Sequence, residues 1–259
     1  MSFMNFILKL FGKVDSHATG FQHLENGRQP TDCRRLHPFA SQRERAISDF
    51  RRVEMFVKEM SAQRSGDPDS STRDQIRKII ECAKKSNLLW DKQRLASLGT
   101  SITKRTGESI VYWNKNENAF YKVKNPIAKA EIKKTTPNDW FFEHIIHNIL
   151  FPQTAYEFLG VAEEFHELRI ILKQPAISTE RFPSQQQIVN YLENRFHLKL
   201  EDRYFFGNEV LAITDISEHS DNVLLGDDGE LYFIDPLIRL KCPALKVIEY
   251  LVGEHFPCV

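Results

Sequence analysis

The stretch Asn222-Val-Leu-Leu-Gly-Asp-Asp-Gly-Glu-Leu-Tyr-Phe-Ile-Asp235 decides how the rest of the chain is interpreted. It contains two runs of aliphatic and aromatic residues, separated by Asp228-Gly229. This dipeptide favours a two-residue type I′ turn, in which both central residues adopt a positive φ. The stretch therefore predicts a β-hairpin in which Asn222 faces Asp235.

An amide oxygen and a carboxylate would then meet at the open end of the hairpin. In the same register Leu225 faces Tyr232, and facing Cβ atoms lie about 4.5–5.5 Å apart. Oxygen ligands of this kind suit Mg²⁺ held between a protein and the phosphates of a nucleotide. We therefore expect Asn222 and Asp235 to form a metal site. The alternative is an ordinary surface hairpin that has these two residues at its base.

Two short motifs in this stretch resemble those of protein kinases. Asn222-Val-Leu-Leu is similar to the catalytic-loop Asn, and Ile234-Asp235-Pro236 is similar to the metal-binding D-F-G motif. A more specific likeness lies upstream, where Asn148-Ile-Leu-Phe-Pro152 precedes a Tyr, a Gly and a strand that ends in Gln174-Pro175. Together these motifs resemble the kinase-like domains found in polyvalent proteins of phages and conjugative elements.

The resemblance implies an α+β, two-lobed protein-kinase-like fold from about residue 72 to the end. Residues 1–71 would form a partly helical extension. Residues 72–175 would form the N-lobe, with a leading helix, a small antiparallel sheet and a second helix. Residues 176–259 would form a minimal C-lobe that carries the hairpin, since only 24 residues follow Asp235.

Hydrophobic periodicity predicts the main elements of both lobes. A helix is expected to begin at Thr72, whose capping partner would be Gln75, and another to begin at Asn138. Further helices are expected over residues 184–195 and 246–252. Strands are expected over residues 109–113, 119–123, 169–172 and 210–213.

The resemblance assigns nucleotide-binding roles to a loop, a strand lysine and a helix glutamate of the N-lobe. Gly107 and Glu108 are similar to a glycine loop that covers phosphates, although one glycine is a weak pattern. Lys122 is similar to the lysine that pairs with the phosphates, and Glu143 to the glutamate that holds this lysine. Lys124 lies on the same face of the strand and competes with Lys122. Glu143 exposed on a helix edge is the alternative to the ion pair.

The segment that joins the lobes and the loop before the hairpin supply the other expected site residues. Gln174 and Ala176 would lie in a hinge whose backbone groups bind an adenine edge. Ser217 occupies the position of the kinase catalytic base. Asp215, two residues earlier, can act as the base only if the loop contains a two-residue bulge.

Charge and cysteine content bound the partners and the compartment. Lysine plus arginine and aspartate plus glutamate number 35 each, so no global charge indicates a nucleic-acid partner. The 4 cysteines lack metal-type spacing, which favours a reducing, cytoplasmic compartment. No apolar stretch is long enough to predict a membrane span.

The sequence thus predicts a Mg²⁺-dependent, ATP-binding kinase of the serine, threonine or tyrosine type that acts on a protein or on itself. In this interpretation Asp215, Lys122 and Glu143 serve catalysis, while Asn222 and Asp235 hold the metal. A pseudokinase, which binds a nucleotide without catalysis or binds none, is the main alternative. A helical adaptor that binds a partner through its extension is another.

Overall fold

The computed structural model of the protein describes residues 68–103, 109–126, 137–164, 167–177, 179 and 181–252. Nearly all of the expected extension, residues 1–71, lies outside these ranges. The described residues form an α+β fold with one larger antiparallel-rich sheet, a smaller sheet, a hairpin and several helices. This architecture confirms the expected fold class.

The larger sheet has five strands in the order β1-β4-β5-β3-β2. Its strands are β1 (Leu89–Trp90), β2 (Ser109–Asn114), β3 (Ala119–Lys124), β4 (Glu157–Glu164) and β5 (Glu167–Pro175). All neighbours are antiparallel except β1 and β4. The three strands that the periodicity predicted, β2, β3 and β5, are confirmed and lie side by side.

Three helices of the described ranges accompany this sheet. They are α1 (Pro68–Lys85), the short α2 (Lys92–Ala96) and α3 (Pro137–Leu150). The helices expected to begin at Thr72 and Asn138 therefore begin earlier, and both residues lie inside them. A proline precedes each expected cap and occupies the first helical position, where its missing N–H costs no hydrogen bond. The expected caps at Thr72 and Asn138 were wrong.

The second half of the described chain has shorter elements. They are α4 (Gln185–Phe196), β6 (Lys199–Asp202), β7 (Phe205–Gly207), β8 (Leu211–Thr214), β9 (Val223–Leu225), β10 (Leu231–Phe233), β11 (Leu237–Leu240) and α5 (Ala244–Val252). Ser184 caps α4 in a reciprocal capping box with Gln187. Strands β11-β8-β7-β6 form an antiparallel sheet, and β9 pairs with β10.

One apolar core joins the two halves of the molecule. It combines buried residues of α3, β5, α4, the β9–β10 hairpin and α5, among them Phe141, Ile170, Leu192, Phe233 and Val247. Burial of apolar surface is the main stabilising contribution to folding, so this shared core fixes the hairpin against the large sheet. The position of the hairpin is therefore set by packing on both halves.

The hairpin exists where the sequence predicted it, but its turn is different. The Gly226 amide donates to the Glu230 carbonyl (2.9 Å), and the Gly229 amide donates to the Gly226 carbonyl (3.0 Å). Gly229 has φ +82°, while Asp228 is not among the described residues with positive φ. These features are typical of a three-residue loop, in which a type I turn is followed by one left-handed residue.

The longer loop shifts the hairpin register by one residue. Leu225 pairs with Leu231 instead of Tyr232, and the Ile234 amide donates to the Asn222 carbonyl (2.8 Å). The two-residue turn and the facing of Asn222 and Asp235 were therefore wrong. The type I′ turn would have required a positive φ at Asp228, and the longer loop needs it only at a glycine.

Gly160 is required by a close approach between β1 and β4. It has φ +143°, and a Cβ at this position would lie 2.2 Å from the Leu88 carbonyl oxygen. That oxygen accepts a hydrogen bond from the Val161 amide (2.9 Å), so it cannot withdraw without loss of the bond.

We expect Gly160→Ala to lower the free energy of unfolding by at least about 3 kcal/mol, because overlap with the backbone adds to about 1–3 kcal/mol of conformational strain. Gly99→Ala is the control, since Gly99 has φ +89° and no atom lies within 4 Å of the position that the alanine methyl group would occupy. It should show the strain alone. Urea unfolding of both variants measures the difference, and equal losses would contradict the explanation.

Candidate active site

A pocket of about 180 Å³ lies between the large sheet, α3 and the chain that follows β10. Its charged lining includes Lys124, Glu143, Asp215 and Asp235. Small-molecule sites usually occupy about 300–1,000 Å³. In this state the pocket therefore has room for only part of a nucleotide.

Asp235 contacts three polar side chains at this pocket. Its Oδ1 lies 2.6 Å from Lys124 Nζ and 2.9 Å from the Tyr156 hydroxyl, and its Oδ2 lies 3.9 Å from Lys122 Nζ. Burial alone would raise the pKa of Asp235. The charges of the two lysines and the hydrogen bonds from Lys124 and Tyr156 outweigh burial and hold the pKa well below its ordinary value. The carboxylate is therefore ionised at neutral pH.

The two lysines of β3 reach Asp235 from different depths. Lys122 is 6% exposed, and its ammonium also donates to the Tyr156 hydroxyl (3.4 Å). Burial lowers the pKa of Lys122 to about 8, and the charge of Asp235 opposes this shift. Lys124 lines the pocket itself. Both lysines therefore neutralise Asp235, and of the two Lys124 faces the space that a ligand would enter.

The expected ion pair between Lys122 and Glu143 does not form in the described structure. The carboxylate that pairs with Lys122 is Asp235, while Glu143 lines the pocket on α3. The reason is the rotation of α3 about its axis. This helix presents His144 and His147 to Tyr156 next to Lys122, and Glu143 lies one residue away from that face.

Tyr156 packs against the two histidines of α3. Its ring centroid is 5.5 Å from that of His144, at an interplanar angle of 24°, and 4.6 Å from that of His147, at 33°. Both histidines are 3% exposed. Burial lowers the pKa of His147 to about 3, and the nearby Thr154 carbonyl opposes this shift. The two residues are therefore buried groups that pack against Tyr156 in the site.

Hydrogen bonds also fix the backbone around Tyr156. The Asn148 side chain accepts from the Tyr156 amide (2.8 Å) and donates to the Tyr156 carbonyl (2.7 Å). The Thr154 hydroxyl donates to the Phe233 carbonyl (2.5 Å) at the end of β10. The chain before β4 is therefore attached both to α3 and to the hairpin that leads to Asp235.

The expected hinge residues occupy defined positions next to this cluster. Gln174 is 1% exposed, and its side-chain amide donates to the carbonyls of Thr154 and Ile234, both at 2.8 Å. The Ala176 amide donates to the Asn118 carbonyl (3.0 Å). The Gln174 side chain thus has a structural role, and the Ala176 amide is already engaged. Nucleotide binding through the remaining backbone groups of this segment stays a prediction.

The loop after β8 brings Asp215 to the pocket. Asp215 has φ +63°, and its carbonyl accepts from Asn222 Nδ2 (2.8 Å) and from the Ser220 hydroxyl (3.2 Å). Asp215 lines the same pocket as Asp235. The hydroxyl of Ser217 instead accepts from the His219 amide (3.3 Å) within the loop. The left-handed backbone at Asp215 therefore brings this residue to the pocket, for which the sequence had suggested a two-residue bulge.

Of the other expected site residues, one is not among the residues that line the pocket and two lie outside the described ranges. Asn222 bonds to the Asp215 backbone, and its role as a metal ligand stays a prediction. Gly107 and Glu108 lie outside the described residues. Tyr156, His144 and His147 were missed, although two histidines one turn apart on an otherwise apolar helix were a signal for a buried polar cluster.

A comparison with protein families now adds to this geometry. The model of one family, described as Serine/Threonine/Tyrosine Kinase found in polyvalent proteins, matches residues 72–242, which is more than half of the chain. The chain belongs to this kinase family. Comparisons with curated proteins and with solved structures gave no significant match.

Membership in the polyvalent-protein kinases confirms the resemblance that the motifs suggested. The matched region includes β3, α3, the Asp215 loop and the hairpin up to Asp235, so every described group of the pocket belongs to the kinase domain. Within the ranges that the structure describes, no helix has the length and apolar character needed to cross a bilayer.

The buried His147 leads to a prediction about acid stability. Its pKa is about 3 in the folded protein against an ordinary value of 6.5, so below pH 6.5 the unfolded chain binds the proton that the fold excludes. The free energy of unfolding should therefore fall as the pH decreases from about 6.5 towards 3, by up to about 1.4 kcal/mol per pH unit from this group.

Urea unfolding at several pH values tests this assignment. His147→Gln should show a shallower fall in unfolding free energy on acidification than the wild type. His219→Gln is the control, since the His219 side chain is 81% exposed, and it should keep the wild-type slope. Parallel slopes for the wild type and His147→Gln would contradict the assignment.

Proposed function

We propose that this kinase-family protein binds ATP with Mg²⁺ and transfers the γ-phosphoryl group to a hydroxyl of a protein or of itself. The observation that carries the proposal is that Lys124, Asp215 and Asp235 line one pocket. Phosphoryl transfer needs positive charge near the phosphates, a metal ligand and a proton acceptor, and most of its acceleration comes from positioning and electrostatics.

Asp235 is the proposed metal ligand, and the donor atoms around it suit Mg²⁺. Asp235 and Asp215 both line the pocket, and hard cations prefer carboxylate oxygens as ligands. Within the described ranges no three His, Cys, Asp or Glu side chains form a closed metal cluster. An open site of this kind suits an ion that takes its other ligands from phosphates and from Asn222. When bound, Mg²⁺ would neutralise the charge that develops on the phosphates.

We propose that the two lysines neutralise different negative groups. The resemblance assigns the phosphates to Lys122, but its ammonium is buried between Tyr156 and Asp235. Lys124 lines the pocket, so we propose that it contacts the phosphates directly and leaves Asp235 to the metal. Lys122 then keeps a compensating positive charge behind the carboxylate. Glu143, on the opposite wall, would help to orient Lys124 or the acceptor.

Asp215 is the proposed general base. The residue is exposed and lines the pocket, and its backbone carbonyl accepts two hydrogen bonds. A carboxylate can accept the proton of an attacking hydroxyl, whereas the serine at position 217 cannot at neutral pH. The acceptor hydroxyl would therefore enter on the Asp215 side of the pocket.

The rest of the nucleotide is proposed to extend from the pocket towards the segment between the lobes. Backbone groups of Gln174 and Ala176 would bind the base, and Gly107 and Glu108 would cover the phosphates, as the family resemblance implies. A cytoplasmic location, where ATP and Mg²⁺ are available, suits this activity. The pocket has a modest volume, so we propose that it widens when the nucleotide binds.

Transfer of radiolabelled γ-phosphate with Mg²⁺ tests the proposal. The wild type should show measurable turnover or self-phosphorylation. Asp215→Asn should lower it by at least about tenfold, since general-base help is typically worth about 10²–10⁴-fold. Mg²⁺–ATP should still raise the melting temperature of this variant as it does for the wild type, since the base is not needed for binding.

Asp235→Ala is the matched variant for binding. At about 100 times the dissociation constant, Mg²⁺–ATP should stabilise the wild type by about 2.7 kcal/mol, and Asp235→Ala should lose this stabilisation while it stays folded. Equal label transfer by all three proteins would indicate contamination. Binding without any transfer by the wild type would favour the pseudokinase alternative.

The division of labour between the lysines is tested by Lys124→Met and Lys122→Met. Lys124→Met should weaken Mg²⁺–ATP binding by about tenfold or more, the effect of a lost hydrogen bond to a charged group, and should leave adenosine binding unchanged. Lys122→Met should have the smaller effect. Calorimetric titration measures both, and loss of Mg²⁺–ATP binding in Lys122→Met alone would return the phosphate contact to Lys122.

A further inference from the structure

We infer that Tyr156 is a positioning residue for the metal-binding carboxylate, and that its buried hydroxyl sets the orientation of Asp235. The inference rests on the proposed function, since it concerns the same site. The family resemblance gave no role to this hydroxyl, and the geometry assigns it one.

The Tyr156 hydroxyl contacts Asp235 and the residue before it. Its oxygen lies 2.9 Å from Asp235 Oδ1 and 2.7 Å from the Ile234 carbonyl oxygen. Lys122 Nζ donates to the same hydroxyl oxygen at 3.4 Å, so the hydroxyl acts as donor to the other two groups and shares its single proton between them. One phenol therefore restrains both the carboxylate and the backbone that carries it.

The phenol is itself held rigidly. Its ring contacts the rings of both His144 and His147, and Asn148 bonds to both polar groups of its backbone. The ammonium groups of Lys122 and Lys124 lie 5.1 and 5.4 Å from the ring centroid, which is a favourable position for cations. Rotation of Tyr156 would break these contacts together, so the hydroxyl offers Asp235 a fixed hydrogen-bond donor.

A hydrogen-bond donor in a fixed position helps to orient a carboxylate that binds a metal. Such carboxylates are usually hydrogen-bonded by a neighbouring group, and loss of this group typically costs 10–100-fold in metal affinity or activity, on the order of a lost charged hydrogen bond. In the proposed function Lys124 is drawn towards the phosphates, which weakens its bond to Asp235. Tyr156 can keep its bond, because its position does not depend on the nucleotide. The tyrosine would thus keep Asp235 oriented when Lys124 leaves it.

The experiment compares Tyr156→Phe with the wild type in binding of Mn²⁺ in the presence of ADP, followed by electron paramagnetic resonance. Phenylalanine keeps the stacking ring and removes only the hydroxyl. The Mn²⁺ dissociation constant should rise by about 10–100-fold. The kcat should fall, while the KM for ATP changes less. Tyr121→Phe is the matched control, since its hydroxyl also bonds a carboxylate, that of Glu117 (2.8 Å), at the other end of β3.

An unchanged Mn²⁺ affinity in a folded Tyr156→Phe would overturn the inference. A crystal structure of the wild type with Mn²⁺ and ADP tests it without any substitution. The Tyr156 hydroxyl should stay within hydrogen-bond distance of Asp235, and a tyrosine turned away from a metal-bound Asp235 would also overturn the inference. A wild type that binds no Mn²⁺–ADP would contradict the proposed function itself, and the inference would fall with it.

Discussion

The ionised carboxylate of Asp235 is the constraint on which the site depends. The Asp235 side chain is 42% exposed, and on its inner side two ammonium groups and a phenol hydroxyl balance its charge. These partners come from β3 and from the chain just before β4, so the sheet must lie against the hairpin for the charge to be compensated. The contacts of the Asp235 side chain therefore depend on how the two halves are placed relative to each other.

The contacts around Asp235 are strengthened by hydrogen bonds between backbone groups and buried side chains. Thr154 and Gln174 both donate to carbonyls at the end of the hairpin, Phe233 and Ile234. Buried polar groups need such partners, and a fully bonded network gives a defined geometry that apolar packing alone does not. The core supplies most of the stabilisation, and these bonds determine where the carboxylate points.

The same arrangement suits a binding site because one of the two lysines has an alternative partner. Lys124 lines the pocket, and phosphate oxygens are as good acceptors for its ammonium as the carboxylate is. Lys122, which is buried, has no such alternative among the described groups. In the proposed function, Lys124 moves from Asp235 to the nucleotide, and the carboxylate becomes available to a metal. The positive charge of Lys122 still balances the carboxylate during this exchange.

Local pattern in the sequence predicted the strands β2, β3 and β5 and the helix α4, because apolar spacing and turn residues act within a few residues. The hairpin register was wrong because Asp228-Gly229 fits two turns, and sequence does not state which φ values the chain adopts. The Lys122–Glu143 pair failed for another reason. The polar residues of α3 are adjacent in sequence, and only packing against Tyr156 decides which of them face inward.

The roles of Tyr156 and Asp215 depended on tertiary structure more strongly still. A buried hydroxyl gains its partner from a segment almost eighty positions away, which no periodicity reveals. Asp215 reaches the pocket through a left-handed backbone conformation that aspartate tolerates and that its sequence neighbours do not signal. By contrast, the kinase motifs pointed to Asp235, which does line the pocket, and its role as a metal ligand stays a prediction.

The central claim, that Asp235 binds a metal together with the phosphates of ATP, is tested most directly by electron–nuclear double resonance. The protein would be labelled with ¹³C in its aspartate carboxyl groups and given Mn²⁺ and a non-hydrolysable ATP analogue. If Asp235 binds the metal, the Mn²⁺ ion should show both ³¹P couplings from the phosphates and a ¹³C coupling from the aspartate carboxyl group. The ¹³C coupling should be absent in Asp235→Ala. A spectrum with ³¹P couplings alone, identical in the wild type and Asp235→Ala, would contradict the central claim.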